Sequence, residues 1–165
     1  MRSSPAVVLA GIGVALAPDL QPGDIVVADR VRADALTEGP VPATRLLPGA
    51  PMLAGALIRR GLRVHLGAVI STDRIADPNA RERLAMAGVL AADRESAWVL
   101  SGRIAGRAAC VRVVASSSSA GSSWRGGIAG LRAALRALPT VADGIVEWCE
   151  AGDRLCGAPT TSRPR

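Results

Sequence analysis

Lysine, tyrosine and phenylalanine are missing from this chain, and asparagine occurs once, at Asn79. These residues have AT-rich codons, so their absence reads as a GC-rich coding bias. All 20 cationic side chains are therefore arginine, and the formal net charge is +6. The same bias removes the basic balance as a sign of nucleic-acid binding. A nucleic-acid binder clusters its charge and adds aromatic stacking surfaces. Here the arginines are spread along the chain and three tryptophans are the only aromatics. A solvated basic surface is expected, with no nucleic-acid partner. Cysteine is scarce too. Cys110, Cys149 and Cys156 form no CxxC pair, and the single histidine, His65, cannot complete a zinc site. No metal or cofactor is expected. An odd cysteine count without a secretory signal fits a reducing cytoplasm. Long apolar runs are lacking as well. Ala6 to Leu16 is broken by Gly11 and Gly13 and is too short to span a bilayer.

The chain has 165 residues, 49% hydrophobic and 21% charged, which suits one globular domain. That domain is expected over residues 1–156, with a flexible tail over 157–165 rich in Pro, Thr, Ser and Arg. Ala6 to Ala10 predicts a buried strand, and Gly11-Ile12-Gly13 a tight loop after it. Ile25 to Ala28 predicts a second strand, and Ala33 to Ala50 an irregular excursion. Met52 to Arg60 has helical spacing, with Gly61 placed to end the helix. Leu62 to Ser71 predicts a strand. Asp77-Pro78 is a helix start, with Asp at the N-cap and Pro at the first helical position. Val89 to Ala92 predicts a short strand, Glu95 to Ile104 a buried helix, and Ala108 to Ala115 another strand. Ser116 to Ser123 reads as a loop. Two closing helices follow, Trp124 to Leu138 and Thr140 to Ala151, broken at Pro139. Alternating strands and helices imply an α/β fold, three αβα layers around a mixed, mostly parallel sheet.

Two segments carry chemistry. The small residues Gly11 to Ala15 follow a strand and expose backbone N–H groups suited to a phosphate, a hydroxyl or a base edge. This is not the dinucleotide fingerprint, because its third glycine would fall at Leu16. A tight turn packed on the sheet is the alternative. Asp93-Arg94-Glu95-Ser96-Ala97 sits where a strand ends and a helix begins, the place where α/β sheets bind ligands. A carboxylate there can accept two hydrogen bonds from a ribose diol. The alternative is a helix cap, with Asp93 on the first turn and Glu95 on the dipole. His65 is expected to be structural, at the start of its strand. Trp98, Trp124 and Trp148 are expected to be core or interface anchors.

Taken together, four ordered blocks resemble the purine nucleoside phosphorylase and nucleosidase superfamily. The first is the small-residue loop followed by Pro22-Gly23-Asp24-Ile25-Val26-Val27-Ala28. The second is His65-Leu66-Gly67 through Ser71-Thr72-Asp73-Arg74-Ile75, the third Ala91-Ala92-Asp93-Arg94-Glu95-Ser96-Ala97, and the last Arg112-Val113-Val114-Ala115-Ser116. The hopanoid-associated phosphorylases are the most similar subgroup. The resemblance implies cleavage of the N-glycosidic bond of a purine nucleoside or adenosyl conjugate, with phosphate possible as co-substrate. It implies a ligand site at Gly11, Ile12, Gly13, Asp93, Arg94 and Glu95, with Glu95 on the ribose hydroxyls. It also implies a homo-oligomer, and a sheet of nucleoside phosphorylase type that lacks its first strands. Four departures stand out. Arg94 replaces a methionine under the sugar, bringing a charge that suits an anionic ligand or marks a pocket that has decayed. Val14 stands where glycine is common. Ser116 occupies the catalytic position of the purine-facing Asp, and Ser119 that of a second Asp. A serine cannot act there as a general acid, so a catalytically inactive relative that binds a nucleoside-like ligand or a partner protein is the alternative.

Overall fold

The computed structural model describes residues 6–36, 40–102, 106–116 and 124–157, with side chains of the last segment described over 127–154. Six strands and four helices alternate: β1 (Ala6–Ala15), β2 (Ile25–Ala33), β3 (Arg45–Leu46), α1 (Ala50–Arg59), β4 (Val64–Ser71), α2 (Pro78–Met86), β5 (Val89–Asp93), α3 (Ser96–Ser101), β6 (Arg107–Ser116) and α4 (Trp124–Gly157). The strand order is β3-β2-β4-β5-β1-β6, and a further pairing of β2 with β6 closes the sheet on itself. The β1–β6, β2–β4 and β4–β5 ladders are parallel. The β1–β5, β2–β3 and β2–β6 pairings are antiparallel and short. The α/β architecture with a mixed sheet is therefore as expected, but the sheet is curled rather than open.

Closure follows from which residues face which way. Along a strand, neighbours point to opposite faces. Val26, Ala28, Ala108, Cys110 and Val114 pack inside the curl with Leu20, Val69 and Leu100. Ile25, Val27, Ala109, Val111 and Val113 point outward, under Leu53 and Leu57 of α1 and Ala134, Val141 and Trp148 of α4. A smaller cluster seats α2 through Leu84 against Ile70, Val89 and Ala92. Both faces of β2 and β6 are thus covered, which explains why they read as nearly continuous apolar runs.

Local signals hold where they rest on backbone chemistry. Asp77 caps α2, its carboxylate accepting from the Asn79 N–H at 3.0 Å, and Pro78 follows it. Gly61 takes φ +78 just past α1, the left-handed turn that favours glycine at a helix end.

Two expectations are corrected. Gly11-Ile12-Gly13 is not a loop: β1 runs through it, with Gly11 opposite Arg112 and Gly13 opposite Val114. Pro139 does not divide the C-terminal region: α4 is one helix of 34 residues with Pro139 inside it. Pro139 lies on the exposed side, and Leu135, four residues earlier, is 50% exposed. Water can therefore satisfy the carbonyl that proline leaves without a donor.

Gly130 sets how closely α4 approaches the sheet. A Cβ at this position would run into the main-chain carbonyl oxygen of Ala115. Backbone cannot yield like a flexible side chain, so Gly130→Ala is expected to push α4 off β6. The cost should be about 1–3 kcal/mol, read as a lower urea midpoint with an unchanged slope.

Candidate functional site

β1, β5 and β6 end around one cavity of about 540 Å³. Its wall includes Ile12, Gly13 and Val14 of β1, Asp93, Arg94 and Glu95 after β5, and Ala115 and Ser116 of β6. Ile75, Ala76 and Arg81 close it from the loop before α2 and from α2 itself. The two segments singled out in the sequence thus meet, although more than 70 residues separate Val14 from Asp93. Gly11 is the exception. It lies deeper along β1 and faces the Arg112 side chain, which a Cβ there would strike.

Arg112 organises this end of the barrel. It stands at an inward position of β6, in step with Ala108, Cys110 and Val114, and is fully buried. An isolated guanidinium in such a place is prohibitively costly. Asp93 answers it, with Arg112 Nε 2.6 Å from Asp93 Oδ2. The Asp93 carboxylate also accepts from Ser71 Oγ at 2.6 Å, from the Glu95 N–H at 2.9 Å and from the Ser96 N–H at 3.1 Å. The Ser96 hydroxyl donates to it as well. Burial opposes ionisation of Asp93, but the Arg112 charge and the Ser71 and Ser96 hydroxyls outweigh it and hold the carboxyl below its ordinary value.

The two acids therefore divide the roles that sequence left open. Asp93 caps the start of α3 and neutralises Arg112, and its oxygens are occupied by protein donors. Glu95 keeps its carboxylate in the open, 58% exposed, with Oε1 3.1 Å from Arg112 Nη1. One side of that carboxylate is steadied and the rest faces the cavity. Ser116 lies at the end of β6, opposite Val14. Ser119 falls outside the described residues.

Gly11 and Gly13 leave the space Arg112 needs. A Cβ on Gly13 would come to 3.0 Å from Arg112 Cβ. The small-residue segment is thus a groove for a buried arginine, and only Gly13 of the pair also borders the cavity. Arg112 itself was missed by sequence reasoning. The available signal was a charged residue at an inward position of an apolar strand.

His65 does not line the cavity. Its Nε2 is 3.2 Å from Asp24 Oδ2, beside the Arg63–Asp24 ion pair, in keeping with a structural role. Trp148 is a core anchor, fully buried, with its Nε1–H donating to the Gly49 carbonyl at 3.2 Å. Trp98 is 37% exposed, and the Trp124 side chain lies outside the described residues. Cys110 is buried, and burial pushes its thiol up. Among the described residues no group of three or more His, Cys, Asp and Glu is placed to hold a metal ion. None of the described helices is long and apolar enough to cross a membrane.

A strand-end cavity with a pinned carboxylate on a curled mixed sheet defines a class as well as a place. Residues 3–123 match the model of the phosphorylase superfamily, well over half of the chain, and the protein belongs to that superfamily. Among solved structures, a proposed methylthioadenosine nucleosidase from Weissella paramesenteroides is similar at TM-score 0.63 and 22% identity, with 88% of this chain and 69% of that one covered. The 5′-methylthioadenosine/S-adenosylhomocysteine nucleosidase from Neisseria meningitidis, in complex with methylthio-immucillin-A, is similar at TM-score 0.63 and 20% identity, with coverage of 86% and 68%. At such identities the likeness is one of fold. No curated protein is a significant match to the chain.

Proposed function

We propose that the cavity binds a purine nucleoside or an adenosyl conjugate and that the chain cleaves its N-glycosidic bond. The observation that carries this reading is Glu95, an ionisable carboxylate on the cavity wall, braced by Arg112 and open to a ligand. Two sugar hydroxyls can donate to such a group at once. The hold strengthens as the sugar gains positive charge on the way to an oxocarbenium-like transition state. In the step itself the C1′–N bond breaks, its electron pair stays with the base, and an oxygen of water or phosphate bonds to C1′. Ser116, across the cavity, can donate a hydrogen bond to the departing base but cannot supply its proton as an acid, so that proton comes from solvent. The Neisseria relative's complex with a nucleoside analogue supports the ligand class.

Free base released from adenosine or 5′-methylthioadenosine, with and without phosphate, tests the reading. Glu95→Gln should lower kcat/KM by about 10–100-fold, the worth of a hydrogen bond to a charged group. Base release that ignores this substitution would remove Glu95 from the role.

Ser116 favours a second reading, ligand binding without turnover. Calorimetry showing adenosine binding alongside no base release would establish it. Self-association is part of either reading. Among the described residues the Ala6–Gly13 stretch of β1 is paired along one side only, by β6, and Val7 and Ile12 there are 38% and 39% exposed. Open apolar edges of this kind invite a second copy.

A further inference from the structure

Among the described residues, one guanidinium on the cavity wall has no partner in the protein. Arg112 is matched by Asp93 at 2.6 Å and shares Glu95 at 3.1 Å. Two more arginines reach the same cavity, Arg81 and Arg94. Arg81 is tied to the protein, its Nη2 donating to the Ala15 carbonyl at 3.4 Å. Arg94 is exposed, and among the described residues its guanidinium has no hydrogen-bond or ion-pair partner. Its neighbours in sequence are both carboxylates, yet the Asp93 oxygens are taken by Ser71, Ser96 and Arg112, and Glu95 leans on Arg112. The wall therefore offers one guanidinium, that of Arg94, with no side-chain partner among the described residues, and it stands one residue from the group that faces the ligand.

We propose that the ligand is a nucleoside bearing an anionic group, of which a 5′-phosphate is the simplest form, and that Arg94 is the residue that selects it. This rests on the nucleoside reading given above. A guanidinium presents paired N–H donors in the geometry of a phosphate or carboxylate, and such charge-assisted bonds are the strong ones. The concave site concentrates the positive potential of that group. A neutral nucleoside would leave Arg94 with only water to answer it. Free phosphate could supply the same chemistry, so the source of the anion has to be separated by experiment.

The test is calorimetric titration of the full chain with adenosine, with adenosine 5′-monophosphate, and with adenosine in the presence of inorganic phosphate. The nucleotide is expected to bind about tenfold more tightly than adenosine at low salt, and the margin should narrow as salt screens the charge. Arg94→Met should bring the two ligands to one affinity. Glu95→Gln should weaken both and preserve the nucleotide's margin, because it acts on the sugar. Equal affinity for the two ligands, or a preference that survives Arg94→Met, overturns the inference and leaves the nucleoside reading standing. Adenosine binding raised to the nucleotide's level by inorganic phosphate also overturns it, in favour of a free anion. Absence of binding by any of these overturns both.

Discussion

Arg112→Leu is expected to lose about 3–5 kcal/mol of stability, because it leaves Asp93 buried with its charge unanswered. The Asp93 carboxylate lies inside the barrel end and keeps its donors from Ser71, Ser96 and the α3 backbone. Those neutral donors soften the penalty but cannot replace a full positive charge at 2.6 Å. Guanidinium and carboxylate also differ in what they leave behind. Leucine fills part of the groove that Gly11 and Gly13 leave for the arginine, so cavity formation adds little and most of the loss is electrostatic. Thermal unfolding should show a drop in Tm of roughly 10 °C. The double variant Arg112→Leu with Asp93→Asn should recover much of it, since the unpaired charge is then gone. A single variant as stable as the parent, or a double variant no better than the single, would show that the pair contributes little. The same substitution has a second readout. Glu95 loses its brace from Arg112 Nη1, so ligand affinity should fall even under conditions where the variant stays folded.

Ser116→Asp should raise the rate of base release by about 10²–10⁴-fold, the usual worth of a positioned general acid. The residue sits on the cavity wall at the end of β6, across from Val14, and the cavity of about 540 Å³ has room for a slightly larger side chain. In its protonated form the new carboxyl would donate that proton to the purine as the C1′–N bond breaks. The measurement is single-turnover release of free base, with binding followed separately so that kcat and KM divide. A rise in kcat with little change in affinity supports both the reaction and the place of Ser116 in it. Turnover already present in the parent and unchanged by the substitution would show that the leaving base is handled elsewhere.

What sequence reveals of this protein follows the range of the forces involved. Asp77 and Pro78 start α2 as expected, because a cap involves three neighbouring residues. Gly61 ends α1 for the same local reason. The small residues Gly11 and Gly13 were legible as special but not as strand. Their reason is a side chain on β6, about 100 residues further on, and nothing local distinguishes room left for an arginine from a turn. Pro139 likewise signals a break, yet whether a helix survives it depends on which side faces water, and that is settled by how α4 lies on α1 and β6. In the site, Glu95 was legible from its position after an apolar strand. The separation of its role from that of Asp93 was not, because it turns on Arg112, whose inward orientation emerges only once the barrel is closed.

That closure has a consequence for how the molecule comes to exist. The two pairings that make the sheet a ring, β2 with β6 and β1 with β6, both wait for β6, the last of the described strands. Until residues 107–116 have left the ribosome, the described pairings hold β1 through β5 and β2 through β3 and β4, with apolar edges on offer. Contacts so distant along the chain are slow to form because the loop they close must first be ordered. The cavity is thus complete only when β6 has arrived, since Arg112 and Ser116 lie on the strand that closes the ring.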